Sequence, residues 1–343
     1  MAGEEMKLIL KVSLMLMIIL CLPACSGSCP QNRAIYQQPA SLCFPDIEWR
    51  ETGDRIRVCT YNIQHLNDGL MDGWKRMPWQ ARRQACAAAA ILDTINADLV
   101  FIQEIENLRI LRTLNTCLAH PYAGGWITRF SSTHPRGRKQ NVALLSRCKP
   151  VSVDEIDFFN WAHDPRPPRG ALRVMLAPDE HTRLLLYGVH LKSNWGAALS
   201  NMHRRQAALQ FIRSDSTRMA EAMPEYRWEI AVVGDMNVDP ENEAFWSDSS
   251  LQPLSDWHDL WTGRSISERT TIPARMGDPD RMFPSAAFDR IIASPALTSS
   301  PWRMQPLQVL ARGVNTNNIF ARTGMPDSDH VSDHYPVFTD IVR

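Results

Sequence analysis

Apolar and polar positions alternate along this chain in two rhythms, and the places where a rhythm stops are chemically distinctive. Residues 230–233, Ile-Ala-Val-Val, form a short, largely β-branched run that predicts a buried strand. Gly234 breaks the run, and Asp235 and Asn237 follow with Met236 between them. Alternation puts the carboxylate and the amide on one side of the chain and Met236 on the other. Residues 55–61 alternate in the same way and deliver Asn62, and the apolar run 99–102 delivers Gln103 and Glu104. Further strands are predicted at 127–130, 142–145, 153–159, 288–292 and 335–341. Residues 171–177 and 183–189 read as paired strands about the turn 178–181, the second ending in His190. Helical spacing takes over at 79–96, where Ala85, Ala88, Leu92 and Ile95 share one face. A second helix is predicted from Asn107, a candidate N-cap, to about residue 118, and a third over 201–222. Residues 241–283 follow neither rhythm. Strands and helices interleave, yet several strands meet through hairpins. That predicts a mixed-sheet α/β sandwich in preference to a purely doubly wound sheet.

Polar residues recur where the apolar strands end: Asn62, Glu104, His190, Asp235, Asn237, and Asp333-His334 just before the last strand. Singly, each has an ordinary explanation. Glu104 could cap the following helix, Asn62 and Asp235 could serve in turns, and His190 could be a satisfied core histidine. Together, six such placements are poorly explained by wet strand ends and point to a shared polar site.

Composition narrows the picture. The chain has 343 residues, 44% of them hydrophobic, with Lys+Arg and Asp+Glu both at 37. Binding to a polyanion must therefore come from a local basic patch. Residues 1–25 read as a signal peptide: Lys7 and Lys11 precede the apolar run 12–22, too short for a membrane span. The run closes on Leu22-Pro23-Ala24-Cys25, which resembles the lipobox of bacterial lipoproteins, with Pro23 replacing the usual small residue. Cys25 would then carry a lipid anchor; an ordinary cut near Ala24 is the alternative. Either way the protein is expected to be exported, as an outer-membrane lipoprotein or a periplasmic or secreted protein. Residues 26–53 read as a tether and irregular lead-in, and 54–343 as one domain. Cys29, Cys43, Cys59, Cys86, Cys117 and Cys148 form an even set with 15 connectivities, though Cys59 and Cys86 could equally be buried thiols. No C-x-x-C pair or zinc-like spacing occurs.

The short segments Thr60-Tyr61-Asn62-Ile63, Gln103-Glu104, Val189-His190-Leu191, Gly234-Asp235-Met236-Asn237, Phe288-Asp289-Arg290-Ile291 and Ser332-Asp333-His334-Tyr335-Pro336-Val337 look like the ordered motifs of the endonuclease/exonuclease/phosphatase superfamily. The resemblance implies a four-layer α/β sandwich, two mixed β-sheets packed face to face with helices outside. It also implies a metal-dependent phosphoester hydrolase, with Glu104, Asn62 and Asp333 as oxygen ligands for Mg²⁺ or Mn²⁺. Asp235 would orient or deprotonate the attacking water, and Asn237 would hold that water or a phosphate oxygen. His190 and His334 would sit on the phosphate, with Asp289 fixing His334. Some family nucleases carry an acid two places after the first-strand Asn; here that place is Gln64. Tight binding of a second metal is then not expected.

Nucleic acid is the expected substrate. Arg136, Arg138 and Lys139 form one basic loop and His203-Arg204-Arg205 opens the third helix, though both could be solvated surface. Arg138, Lys139, Asn141, Asn194 and Arg204 are the expected substrate contacts. Trp195 could stack on a base or pack in the core. No exposed aromatic–aliphatic hairpin of the kind a lipid phosphodiesterase would use is visible. The competing readings are a phosphatase or phosphodiesterase on a small or lipid-derived ester, and a non-catalytic surface binding protein. No protein partner is implied and a monomer is expected. Two overlapping motifs, Ser328-Asp329-His330 and Ser332-Asp333-His334, compete for the last position. The second is preferred because Tyr335-Pro336-Val337 opens the final strand directly after it, leaving His330 as a surface residue.

Overall fold

Period-two alternation sorts each strand's side chains into separate cores. In the computed structural model, which describes residues 35–70, 77–129, 140–158, 164–273, 285–299, 301–315 and 330–343, this sorting builds the layers. In β3 (Arg55–Leu66), Ile56 and Val58 face one core while Cys59, Tyr61 and Ile63 face another. In β4 (Leu99–Ile105), Leu99 and Phe101 join the first set, and Val100 and Ile102 the second. β9 (Thr182–His190) and β10 (Arg227–Asp235) repeat the division. Leu184, Leu186, Ala231 and Val233 face the common core, and Leu185, Tyr187, Ile230 and Val232 face a third. The common core lies between two sheets. Helices α1 (Pro78–Ile95) and α2 (Leu108–Cys117) cover the outer face of one, and α3 (Ala198–Ala222) that of the other.

One sheet runs β1 (Ile35–Gln37), β7 (Ser152–Asp157), β8 (Ala171–Leu176), β9, β10, β12 (Asp289–Ala293), β11 (His258–Asp259). The other runs β13 (Arg303–Met304), β15 (Val337–Val342), β3, β4, β6 (Asn141–Ser146), β5 (Gly124–Ile127), β2 (Ala40–Cys43), with β14 (Gln308–Val309) also against β15. The pairs β3–β4 and β9–β10 are parallel, and helices α1 and α3 make those crossovers. The remaining pairs are antiparallel, so both sheets are mixed, as expected.

Two expectations are corrected. Residues 35–53 are not a tether: β1 pairs with β7 and β2 with β5, so among the described residues the sandwich already includes Ile35. The strand expected at 127–130 is β5, ending at Ile127. Residues 241–273, which follow neither rhythm, are mostly loop and hold only short elements, among them β11 and the helix α4 (Ile266–Arg269). The signal peptide, Cys25 and Cys29, and the basic loop with Arg136, Arg138 and Lys139, lie outside the described residues. Asn107 does cap α2, its side-chain oxygen accepting from the amides of Arg109 and Ile110. Cys86 on α1 is disulfide-bonded to Cys117 on α2, while Cys59 and Cys148 are buried thiols and Cys43 an exposed one.

Candidate active site

Strand register, not sequence distance, assembles the polar strand ends. Asp235, last in β10, pairs across the sheet with His190, last in β9, and with Asp289, first in β12. All three fall on the inner-facing parity of their strands, with Val233, Leu186 and Ile291. Asn62 has the same parity on the opposing sheet, and its Nδ2 donates across the sandwich to Asp235 Oδ2 at 3.0 Å. The apolar interlayer thus ends in a polar mouth. Close approach of β9 and β10 requires the preceding glycine: a Cβ on Gly234 would lie 2.0 Å from the Val189 carbonyl oxygen, and its φ is +148°.

Glu104 arrives by a different device. Alternation sends Gln103 inward, where it bonds Thr60, and would send Glu104 outward to the helices. Instead Glu104 has φ +62°, and β4 slips register against both neighbours there. Its carboxylate turns into the mouth, with Oε1 3.5 Å from Asn62 Nδ2 and 3.9 Å from His190 Nε2. Oε2 accepts from the His65 amide at 3.0 Å and lies 3.1 Å from His65 Nδ1. His65 and Asn237 are also left-handed, at φ 51° and 54°. Such conformations cost roughly 1–3 kcal/mol each and persist where the surroundings impose them.

Asn237 donates its amide to Asp235 Oδ1 at 2.8 Å, an Asx turn, and its Nδ2 to the Leu191 carbonyl at 3.2 Å. In the C-terminal loop, Ser332 Oγ donates to the Asn62 carbonyl at 2.6 Å and accepts from the His334 amide at 3.0 Å. His334 is thereby set with Nδ1 2.7 Å from Asp289 Oδ2, and Nε2 3.8 Å from Asp333 Oδ1 and 4.0 Å from Asp235 Oδ2. His330 is not a surface residue. It is 2% exposed, its Nε2 lies 3.0 Å from Gln64 Oε1, and its Nδ1 accepts from the Asn315 amide at 3.2 Å. It therefore lies beside Gln64, two places after the first-strand Asn62.

Burial sets the protonation states apart. Burial raises the Asp235 carboxyl to about 7; positive charge on His334 opposes this and Asp289 adds to it. Burial alone would depress His334, but the charge and hydrogen bond of Asp289, with Asp333 and Asp235, raise it to about 10. His190 goes the other way, held well below the usual range by burial and then by Arg169 and His334. Of the two histidines nearest Asp235, His334 is therefore held cationic and His190 neutral.

Of the expected substrate contacts, Asn141 is buried, donating Nδ2 to the Glu106 carbonyl at 2.8 Å. Asn194 donates to the Asn237 carbonyl at 3.0 Å and accepts from Arg205 Nη1 at 3.2 Å. Both brace the backbone of site loops. Arg204 lines a cavity beside His190 together with Arg169 and Lys192. Two residues were missed from sequence, His65 and Arg169. Arg169 is buried, donating to the Leu191 carbonyl at 2.9 Å and Gln140 Oε1 at 2.5 Å, with its Nε unpartnered. The signal was available: Arg169 precedes the first strand of a predicted hairpin whose second strand ends in His190, so both lie at one end of the sheet.

The Endonuclease/Exonuclease/phosphatase family model matches residues 59–334. The chain belongs to this family. Among curated proteins it is 25% identical over 199 residues to a deoxyribonuclease of Thioalkalivibrio sp. (strain K90mix), covering 55% of this chain and 48% of the relative. The chain thus spans about half the length of that relative. Solved structures with the same fold include truncated Caenorhabditis elegans TDP2, at 16% identity and TM-score 0.56, covering 86% of this chain and 100% of that one. D. rerio TDP2 complexed with single strand DNA product is also similar, at 16% identity and TM-score 0.55, covering 85% of this chain and 100% of that one. So is an endonuclease/exonuclease/phosphatase from Beutenbergia cavernae DSM 12333, at 16% identity and TM-score 0.54, covering 84% of this chain and 72% of that one.

Family nucleases use divalent metals, and the mouth is suited to one. Asn62 Oδ1 is buried with no hydrogen-bond partner while its Nδ2 is engaged, which leaves a carboxamide oxygen unspent beside the Glu104 carboxylate. Among the described residues no three of Asp, Glu, His and Cys form a ready-made metal cluster. A cation here would rest on mixed carboxylate, carboxamide and solvent oxygens, the donors that suit Mg²⁺ or Mn²⁺.

Proposed function

We propose that this chain is a divalent-metal-dependent phosphodiesterase whose substrate is nucleic acid. The observation that carries the reading is the placement of Asp235. Its Oδ2 lies 3.0 Å from Asn62 Nδ2 and 3.5 Å from His190 Nε2, next to the Asp289–His334 pair. Glu104 and Asn62, with Asp333, would hold the cation, which when bound supplies positive charge to the phosphate oxygens. Asp235 takes the proton of the attacking water. Its raised proton affinity suits a base working near neutral pH. Asn237 orients that water through its carboxamide. Cationic His334 and neutral His190 donate hydrogen bonds to the non-bridging oxygens as charge accumulates on them during in-line displacement. Asp289 keeps His334 protonated and aimed.

Nucleic acid is favoured over a small ester by three facts. A sequence relative is a deoxyribonuclease, a structural relative was solved with a single strand DNA product, and Arg169, Lys192 and Arg204 gather cations beside His190. The test is hydrolysis of plasmid DNA, RNA, a sphingolipid and an inositol phosphate, with and without EDTA. DNA or RNA is cleaved only with free divalent metal, and Glu104→Gln and Asp235→Asn each lose several orders of magnitude in turnover. Full activity in EDTA, or in Asp235→Asn, refutes the mechanism; cleavage of the sphingolipid or inositol phosphate alone refutes the substrate.

A further inference from the structure

We propose that Trp195 is a stacking platform for the unpaired base flanking the scissile phosphate, an inference that rests on the nuclease reading above. Trp195 lies in the loop between β9 and α3, five residues after His190, and does not pack in the core: it is 82% exposed. Its backbone is nevertheless fixed. The Trp195 carbonyl accepts from Lys192 Nζ at 2.6 Å and from Asn201 Nδ2 at 3.1 Å. The preceding residue is fixed as well, since Asn194 Nδ2 donates to the carbonyl of the site residue Asn237 at 3.0 Å. Buried Arg205 closes the clamp, donating Nη1 to the Lys192 carbonyl at 2.7 Å and Nε to Ser250 Oγ at 2.7 Å. A large apolar ring is presented to solvent from a loop whose backbone is anchored by polar contacts, so the entropy of ordering that backbone is spent before any ligand arrives.

The surroundings select the occupant. Lys192 and Arg204 line the cavity beside His190 with Arg169, and the Arg204 Nε is buried without a partner. An apolar face beside these positive charges complements a base joined to phosphates, because the ring takes the π-face and the charges attract the backbone. A bilayer is a poorer match: Leu199, 62% exposed, is the one other large exposed apolar residue of this loop and the helix start that follows it. Stacking needs a free base face, which a duplex interior does not offer. The platform therefore favours single strands and frayed ends over intact duplex.

The test uses the full chain and Trp195→Ala and Trp195→Tyr variants on a short single-stranded oligonucleotide, beside the same oligonucleotide made abasic at the flanking position. Trp195→Ala raises KM roughly ten-fold, the worth of one stacked base, with kcat within about two-fold, and Trp195→Tyr restores most of the loss. The abasic oligonucleotide is weaker for the wild type and suffers no further loss in Trp195→Ala. Equal losses on both oligonucleotides, or none on either, overturn the proposal. So does loss of binding to phosphatidylcholine vesicles with oligonucleotide KM unchanged, which would make the ring a lipid contact. Oligonucleotide binding measured in EDTA separates the two readings. Trp195-dependent binding in EDTA with no cleavage once Mg²⁺ or Mn²⁺ is supplied in excess would defeat the nuclease reading and leave the platform standing, whereas cleavage indifferent to Trp195 would defeat the platform alone. A wild type that neither binds nor cleaves the oligonucleotide overturns both.

Discussion

At the scale of single residues, two histidines four positions apart do different work. His334 is locked to Asp289 and reaches toward Asp235, whereas His330 is buried against Gln64 and the Asn315 amide. His334→Ala should lower kcat of the folded protein by orders of magnitude and, because it leaves the buried Asp289 carboxylate without its partner, should cost stability as well. His330→Ala should cost about 1–3 kcal/mol of stability, because it strips hydrogen bonds from buried groups, and leave kcat of the folded protein within a few-fold. Turnover measured alongside urea unfolding separates the two. The reverse pattern would mean that the catalytic histidine has been misassigned. Glu229 gives a pH prediction remote from the mouth. It is 1% exposed on the inner parity of β10, and neither carboxylate oxygen has a hydrogen-bond partner. Burial raises its carboxyl to about 7, with Arg227 opposing and Asp179 adding to the shift. The folded protein therefore binds this proton more tightly than the unfolded chain does. Stability falls as pH rises from about 4.5 and the deficit is complete above about 7. Glu229→Gln should be more stable than wild type by up to about 3 kcal/mol at pH 8, with the gain mostly gone at pH 5. Parallel urea curves at the two pH values decide it: an equal shift at both would mean that ionisation of Glu229 carries no cost.

At the scale of elements, α3 is fastened to its sheet by one buried carboxylate. Asp215 Oδ1 accepts from Tyr36 OH at 2.5 Å, Arg218 Nη2 at 2.5 Å and Arg173 Nη1 at 3.1 Å, and Oδ2 accepts from Tyr187 OH at 2.8 Å. Those partners lie on β1, β8 and β9 as well as on α3 itself, so the cluster also ties the N-terminal edge strand into the sandwich. Asp215→Ala leaves the Arg173 guanidinium short of its principal counter-charge and should cost about 3–5 kcal/mol, seen as an earlier unfolding midpoint. A loss under about 1 kcal/mol would show that apolar packing alone seats α3. The same cluster explains part of what the sequence conceals. Central strands were legible because burial on both faces writes continuous apolar runs, as in Ile230–Val233 and Leu99–Ile102. β1 and β2 were not, because Ile35–Gln37 and Ala40–Cys43 are short edge strands held by ladder pairing and, for Tyr36, by Asp215. The candidate site was legible wherever strict alternation places a residue, as for Asn62, His190 and Asp235, while Asp289 was marked only by the family resemblance. It was not legible in how Glu104 gets there, since alternation points it at the helices and only the slipped register and left-handed backbone turn it inward. His65, which bonds the turned carboxylate, was missed for the same reason.

At the scale of the whole molecule, charge decides how far substrate recognition extends. Lys+Arg and Asp+Glu are equal at 37, so no bulk field draws in a polyanion and attraction must be local. The cavity beside His190 is lined by three cations, Arg169, Lys192 and Arg204. Each phosphate neutralised on a single strand contributes about −0.7 to the slope of log affinity against log salt, so three contacts predict a slope of about −2. Lys192 makes this number depend on pH. Burial, then the neighbouring charges of Arg169, Arg204 and Arg205, lower its ammonium to about 8. Above that value it is neutral, and two remaining contacts give about −1.4, a shallower dependence at pH 9 than at pH 7. The measurement is KM for a single-stranded oligonucleotide across a series of monovalent salt concentrations, at fixed divalent metal and at both pH values. A slope near zero would mean that binding rests on the single phosphate at the mouth, the pattern expected of the small-ester reading. A slope steeper than about −4 would exceed what these three cations can supply and would enlist Arg136, Arg138 and Lys139 in an extended track along the strand.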